Sequence, residues 1–260
     1  MMTPEQIADF QRDGAVVVRG VFKDWVDTLA EGVAQNMADP GEYASENEVS
    51  QGRFFDDYCN WTRIPAFEKV VRESPAAALA AAAMQSQTAQ FFHDHVLVKE
   101  PGTPKPTPWH QDAPYYFVEG QQTVSLWMPL DPVEGASLRF VAGSHKWDKM
   151  VRPVSWSDDS DFYETGDWTP VPDPDADPDK MRVLEWPMQP GDVVLFDYRT
   201  VHGARGNATA SRRRAVSLRW VGDDARYVVR PGRTSPPFPG HDMQDGQRLR
   251  TDWFPVIHGA

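Results

Sequence analysis

The stretch GDVVLFDYRTVHGARGNATASRRRAVSLRWV, residues 191–221, decides the fold prediction. It contains two short apolar runs rich in valine, 192–196 and 215–221, and the loop between them contains Gly203 and Gly206. Runs of this length, bounded by glycine-containing turns, are typical of strands in an antiparallel sandwich or barrel. The stretch therefore predicts two buried strands on either side of a loop that carries a histidine.

The same pattern extends back to residue 91. Apolar runs alternate with breakers such as PGTPKPTP (101–108) and DPVEG (131–135). We expect further strands over residues 91–99, 123–130, 137–141 and 182–186. Helical patterns come first in the chain and strands follow, which favours a mainly β protein with flanking helices and an antiparallel jelly-roll core over about 91–230.

Residues 155–180 interrupt this core. The segment is acidic and rich in proline and matches neither a strand nor a helix pattern. We expect a long insertion between strands, either a solvated loop or a lid over a site.

The first 90 residues or so are expected to form a helical layer. Thr3, Pro4 and Gln6 match a capping box with proline at the first helical position. We expect further helices over about 24–37, over about 65–72 and through the alanine-rich run AAALAAAAMQ, residues 76–85. Residues 39–60 show no clean period. The length of 260 residues fits a single domain over 1–260.

Composition excludes several classes of protein. The chain has 26 Lys and Arg against 38 Asp and Glu, a formal net charge of −12, which argues against a nucleic-acid partner. The single cysteine, Cys59, cannot form an internal disulfide, and a reducing cytoplasm suits it. The sequence shows no signal peptide and no apolar run of the ~18 residues that would span a bilayer, so we expect a cytoplasmic protein without a membrane partner. The pattern leaves the oligomeric state open.

His110 and Asp112 form a His-X-Asp tripeptide after the proline-rich turn. In an extended chain, residues two apart point to the same side, so an imidazole nitrogen and a carboxylate oxygen can meet at one point. His202 follows the predicted strand 192–196 and supplies a second histidine. Two histidines and one carboxylate are the ligand set of non-haem iron(II) sites. An isolated His-X-Asp more often reflects two residues on a shared solvent face, so the prediction depends on His202.

Three consecutive arginines begin the last core strand, and alternation allows only the middle one to face the same side as Ala215 and Ser217. That residue is Arg213, and Arg212 and Arg214 are expected on the other face. A guanidinium group on the interior side of a strand is suited to binding a carboxylate through two hydrogen bonds. Taken alone, a run of three arginines is usually a solvated edge.

These motifs, taken in order, resemble the phytanoyl-CoA dioxygenase family of Fe(II)- and 2-oxoglutarate-dependent oxygenases. The resemblance rests on TPEQIADFQRDGAVVVRGVF (3–22), PTPWHQDAPYY (106–116), SLRFVAGSHKW (137–147) and the stretch 191–221, and it covers nearly the whole chain apart from the insertion. It implies a double-stranded β-helix, or cupin-like jelly roll, with Fe(II) and 2-oxoglutarate as cofactors and O2 as co-reactant.

The resemblance also implies roles for individual residues. His110, Asp112 and His202 would bind the iron, and Arg213 would pair with the far carboxylate of 2-oxoglutarate. Trp127 would line the cosubstrate pocket, although ordinary core packing explains it as well. Gln111 would contact the cosubstrate, unless it points elsewhere from the strand edge.

The substrate is expected to be a small polar metabolite, for example an organophosphonate or a quaternary amine. His95, Tyr115 and Arg139 are the expected substrate contacts, the last because it offers charge to an anion. The carboxylate at Asp112 favours hydroxylation, because halogenating relatives carry a small residue there. The alternative is a jelly-roll protein that binds metal as a binding module or sensor without turnover.

Overall fold

The computed structural model describes residues 1–46, 53–103, 106–135, 137–155, 160–176, 179–207, 209 and 211–259. Its helices are α1 (Pro4–Asp13), α2 (Val26–Ala38), α3 (Pro65–Glu73) and α4 (Ala76–Met84). The predicted capping box is present, because the Thr3 side chain accepts from the Gln6 backbone N–H and the Gln6 side chain accepts from the Thr3 N–H. No helix among the described residues is both long enough and apolar enough to cross a bilayer.

The large sheet lies beneath these helices. Its strands are β1 (Ala15–Val18), β2 (Ser45–Glu46), β3 (Phe54–Tyr58), β4 (Ala89–Lys99), β7 (Thr123–Pro129), β10 (Val193–Phe196), β12 (Arg213–Val221) and β14 (Val256–His258). They are arranged in the order β1-β10-β7-β12-β4-β3-β2, with β14 beside β4, and every pairing is antiparallel.

A second sheet faces the first. Its strands are β5 (Thr107–His110), β8 (Leu138–Val141), β9 (Val183–Glu185) and β11 (His202–Ala204), in the order β5-β11-β8-β9. A short pair, β6 (Val118–Glu119) and β13 (Arg226–Tyr227), lies apart from both. Two facing antiparallel sheets joined in this order form the predicted jelly-roll core, the double-stranded β-helix.

The two faces of the large sheet have different partners. Val216 and Leu218 of β12 pack with Leu126 of β7 against the helices, in one apolar cluster. Alternate residues point the other way, so that Ala215 and Trp127 pack towards the second sheet in a separate cluster. The alternation of residues that predicts a strand also decides which of these two cores each side chain faces.

The prediction for the first 90 residues is incomplete. β1 and β3 both lie in this part of the chain and extend the large sheet. β3 falls within residues 39–60, where no period was visible, because Asp57 occupies a fully buried position of that strand. Its carboxylate accepts hydrogen bonds from the Asn36 side chain and the Gly41 N–H, both at 2.7 Å, which offsets the cost of burial.

The insertion over 155–180 contains no helix or strand among its described residues, and residues 156–159 and 177–178 lie outside the described part. Two isolated bridges attach its surroundings, Val151 to Thr169 and Val154 to Asp161.

Candidate active site

The three expected metal ligands meet inside the jelly roll. His110 ends β5 and His202 begins β11, and the two residues are directly paired across the second sheet. Asp112 Oδ1 lies 3.6 Å from His110 Nε2 and 3.8 Å from His202 Nε2. All three side chains are buried, and one donor atom from each lies within 4.8 Å of the others. Spacings of this size suit three protein ligands on one face of an octahedral metal ion.

Hydrogen bonds fix the orientation of both imidazoles. His110 Nδ1 lies 2.8 Å from the Pro108 carbonyl oxygen, and His202 Nδ1 lies 3.0 Å from the Thr200 carbonyl oxygen. A carbonyl oxygen can only accept, so each Nδ1 carries the proton and donates it. The Nε2 lone pairs therefore point to the shared centre, which is the tautomer that binds metal.

The electrostatics keep His202 and Asp112 in the protonation states that bind a metal ion. Burial and the neighbouring His110 ring lower the pKa of His202 to about 3, so this ring is neutral at pH 7. Burial alone would raise the pKa of Asp112, but the Arg219 guanidinium and the two histidines hold it well below its usual range. Asp112 Oδ2 accepts from Ser125 Oγ at 3.1 Å and lies 3.5 Å from Arg219 Nη2. Oδ1 is thus directed to the histidines, while Ser125 and Arg219 hold Oδ2 on the opposite side of the carboxylate.

A cavity of about 260 Å³ opens beside this cluster. His110, Asp112 and Arg219 are among the residues that line it. The remaining wall is mostly aromatic and polar and consists of Tyr43, Ser45, Asp56, Tyr58, His93, His95, Tyr115, Tyr116, Val154, Ser155, Phe162, Ser235 and Pro236. Phe162 belongs to the predicted insertion, so part of that segment covers the cavity.

The three arginines at the start of β12 divide as the alternation predicts. Arg213 is buried, with its guanidinium carbon 5.8 Å from the centre of the Trp127 ring. Arg212 pairs with Glu100, and Arg214 forms two hydrogen bonds to Asp131 through its side chain. Burial lowers the pKa of Arg213 to about 10, so it remains a cation at pH 7. Trp127 lies on the inner face next to it, and its role in lining the cosubstrate pocket stays a prediction.

The four other expected contacts fall in different places. His95 and Tyr115 line the cavity, and their role as substrate contacts stays a prediction. Arg139 does not, and that expectation is wrong: on β8 it alternates with the inward Phe140, pairs with Asp175 at 2.8 Å and stacks on Trp109. A shift of one residue in the pairing of β8 would turn Arg139 to the other face of the sheet. The sequence alone does not determine this register.

The side chain of Gln111 points elsewhere from the strand edge and does not take the predicted position of a cosubstrate contact. Its side-chain amide donates to the Arg199 carbonyl oxygen and accepts from the Val151 N–H. Both ends of the amide are therefore used to join loops, and the residue points away from its two neighbours in the tripeptide.

Arg219 is the functional residue that sequence reasoning missed. It lies on β12 six residues after Arg213, so the same alternation places both on the inner face. Extending that alternation along the whole strand would have identified it.

The fold and this cluster define a jelly-roll protein whose interior carries the donor set of a two-histidine, one-carboxylate metal centre. Comparisons with known proteins give the family. Residues 10–215 match phytanoyl-CoA dioxygenase (PhyH), and the chain belongs to that family.

Two curated relatives are similar to part of the chain. A methylphosphonate hydroxylase from Gimesia maris is 27% identical over 139 residues, 53% of this chain and 47% of the relative. A probable phytanoyl-CoA dioxygenase from Caenorhabditis elegans is 28% identical over 151 residues, 55% of this chain and 46% of the relative. The matched stretches thus span about half the length of these relatives.

Solved structures share the fold over most of the chain. The α-ketoglutarate-dependent epimerase SnoN from nogalamycin biosynthesis superimposes with a TM-score of 0.75 at 23% identity, covering 98% of both chains. EctD from S. alaskensis gives a TM-score of 0.72 at 19% identity, covering 90% of this chain and 81% of the other.

Proposed function

We propose that this protein is an Fe(II)- and 2-oxoglutarate-dependent oxygenase that hydroxylates a C–H bond of a small polar metabolite, with release of succinate and CO2. The observation that carries the proposal is the cluster of His110, Asp112 and His202. Its donor set fits iron(II), because two imidazole nitrogens and one carboxylate oxygen converge while Pro108 and Thr200 hold the opposite ring nitrogens.

The residues divide the work as follows. His110, Asp112 and His202 would hold the iron, and Arg213 would bind the far carboxylate of 2-oxoglutarate beside Trp127. When bound, iron and 2-oxoglutarate supply the oxidising chemistry through reaction with O2. Ser125 and Arg219 hold the outer oxygen of Asp112, and so they fix which oxygen faces the metal. The buried walls exclude water from the reacting centre.

The buried Arg213 favours an enzyme over a protein that only binds metal. A buried guanidinium group carries a large desolvation cost unless a ligand or a partner offsets it. A metal-binding module without turnover does not need a buried guanidinium group on the inner face of its core. The position of Arg213 on the inner face of β12 therefore supports an enzyme with a dicarboxylate cosubstrate.

The size of the cavity suits a small polar molecule as the substrate. A cavity of about 260 Å³ is below the ~300–1,000 Å³ that is usual for sites of drug-sized ligands. The similarity to a methylphosphonate hydroxylase is compatible with an organophosphonate. Arg139, the expected partner of such an anion, lies outside the cavity and is paired with Asp175, which removes the contact that favoured a phosphonate.

Succinate formed from 2-oxoglutarate, with Fe(II), O2 and a panel of small metabolites, tests the proposal. We expect Asp112→Ala to lower the rate at least a hundredfold while the fold is retained, because it removes one metal ligand. Asp175→Ala is the matched control, since that carboxylate pairs with Arg139 outside the cavity, and its rate should stay within twofold. A rate equal to that of the wild type in Asp112→Ala would exclude the proposed site.

A further inference from the structure

Two cavity residues face each other across neighbouring strands. His93 of β4 and Arg219 of β12 are directly paired in the sheet. Residues paired in this way have Cβ atoms about 5 Å apart. Both side chains are buried and line the cavity beside Asp112. The pair therefore lies within reach of any substrate that approaches the metal.

His93 offers an unused hydrogen-bond acceptor. Its Nδ1 lies 3.1 Å from the Asp94 carbonyl oxygen, so Nδ1 carries the proton and donates it. Nε2 is then a lone-pair acceptor, and it is buried without a hydrogen-bond partner among the described residues. Burial and the nearby Arg219 charge lower the pKa of His93 well below its usual range, so Nε2 stays unprotonated at neutral pH.

Arg219 offers an unused donor. Its Nε donates to the Tyr116 hydroxyl at 2.9 Å, and Nη2 faces Asp112 Oδ2 at 3.5 Å. Nη1 is buried without a hydrogen-bond partner among the residues that the structure describes. Buried polar atoms of folded proteins are nearly always satisfied, and each exception calls for a ligand, a water molecule or a functional reason.

Three other polar groups of the wall are already engaged. His95 Nε2 lies 3.4 Å from Asp56, the Tyr58 hydroxyl is 3.2 Å from Ser235 Oγ, and the Tyr115 hydroxyl donates to the Val154 carbonyl oxygen. His93 and Arg219 thus place an acceptor and a donor on two directly paired residues of the cavity wall.

We propose that His93 and Arg219 bind a hydroxyl group of a small neutral substrate. The hydroxyl oxygen accepts from Arg219 Nη1, and its hydrogen is donated to His93 Nε2. This inference rests on the proposed oxygenase function, because that function makes the cavity the substrate site. It narrows the small polar metabolite to a neutral hydroxyl compound and places one hydroxyl next to the metal.

Charged groups satisfy the pair less well. An ammonium group can only donate, so it leaves Arg219 Nη1 unsatisfied and adds a like charge. A fully ionised phosphonate or carboxylate can only accept, so it leaves His93 Nε2 facing a lone pair. The charge of Arg219 is already opposed by Asp112, and Asp56 adds a second carboxylate to the cavity wall. The cavity therefore offers little net attraction to an anion.

The test uses three probes with one ring and different polar groups: trans-cyclohexane-1,2-diol, cyclohexylammonium and cyclohexylphosphonate. Their affinities are measured by calorimetry under anaerobic conditions, on protein loaded with Fe(II) and 2-oxoglutarate and again on metal-free protein. We expect the diol to bind at least tenfold more tightly than either charged probe. A charged probe that binds more tightly, equal affinities, or no detectable binding of the diol would overturn the inference.

Two variants locate the effect. His93→Phe keeps a planar ring but removes the acceptor, and diol affinity should fall about tenfold, the loss expected for one buried hydrogen bond. His241→Phe is the matched control, because His241 does not line the cavity, and diol affinity should stay within twofold. An unchanged affinity in His93→Phe would contradict the assignment.

The binding measurements distinguish a failure of the hydroxyl assignment from a failure of the proposed oxygenase function. If iron and 2-oxoglutarate bind as proposed but the diol is not preferred, only the hydroxyl assignment fails. If the protein does not take up iron and 2-oxoglutarate, the proposed function fails, and the ranking on metal-free protein still decides whether His93 and Arg219 select a hydroxyl group.

Discussion

Replacement of Arg213 by glutamine tests the cosubstrate pocket most sharply. The guanidinium is buried on the inner face of β12, and burial lowers its pKa by more than two units, to about 10. That change corresponds to a desolvation cost of about 3 kcal/mol for the charged form. In the proposed function, the far carboxylate of 2-oxoglutarate pairs with this cation and offsets that cost.

The expected effect follows from these magnitudes. Removal of one partner of a buried, hydrogen-bonded charge pair costs about 2–5 kcal/mol. Since 1.4 kcal/mol is a factor of ten, the apparent KM for 2-oxoglutarate should rise about thirtyfold at least. A rate measured at saturating 2-oxoglutarate should recover most of its wild-type value, because the metal ligands are intact. Initial rates of succinate release across a 2-oxoglutarate titration give both numbers.

Arg214→Gln is the matched control, one residue along the same strand. Its side chain points to the other face and pairs with Asp131, so the KM for 2-oxoglutarate should change less than threefold. A threefold or smaller change in Arg213→Gln would refute the assignment of the pocket. A large change in the Arg214 variant alone would mean that the alternation along β12 was misread.

Three further predictions concern stability. Trp220→Ala should lower the free energy of unfolding by about 3–5 kcal/mol in urea titrations, because the ring is fully buried between sheet and helices; a loss below 1 kcal/mol would contradict that packing. Gly14→Ala should also destabilise the protein, since Gly14 has φ 80° and an added Cβ would lie 2.4 Å from Thr200 Oγ1, and an unchanged melting temperature would contradict it. Burial, which outweighs the hydrogen bonds from two backbone N–H groups, raises the pKa of Asp94 to about 6; the folded state therefore holds this proton more tightly, and stability should fall by about 3 kcal/mol as pH rises from 3.8 through 6. Asp94→Asn should lack that fall, and identical pH profiles of unfolding free energy for the two proteins would rule it out.

Much of the core was predictable because its strands are short and strictly alternating. The strands 123–130 and 192–196 appear within one residue of their predicted bounds, as Thr123–Pro129 and Val193–Phe196. The alternation also separated Arg213 from its two neighbours. Local pattern suffices in these places because each strand has one face towards the helices and one towards the second sheet.

The predictions that failed share a physical cause. The local sequence pattern does not show which distant residues a side chain contacts in the folded protein. Asp57 breaks the apolar period of β3, yet it is buried and accepts a hydrogen bond from Asn36, a residue of α2. Arg139 was assigned to the cavity, but the register of β8 turns it to the outer face. Arg219 was missed because its partners, Asp112 and Tyr116, come from more than 100 residues earlier in the chain.

The most direct test of the central claim is the anaerobic addition of Fe(II) and 2-oxoglutarate to the metal-free protein, followed by visible absorption. We predict the weak charge-transfer band of a keto acid chelated to iron(II), in wild type and in the control Asp175→Ala. The band should be absent in His110→Ala, which removes a ligand of the shared centre. Iron that binds to the wild type without the band would contradict an oxygenase site at His110, Asp112 and His202.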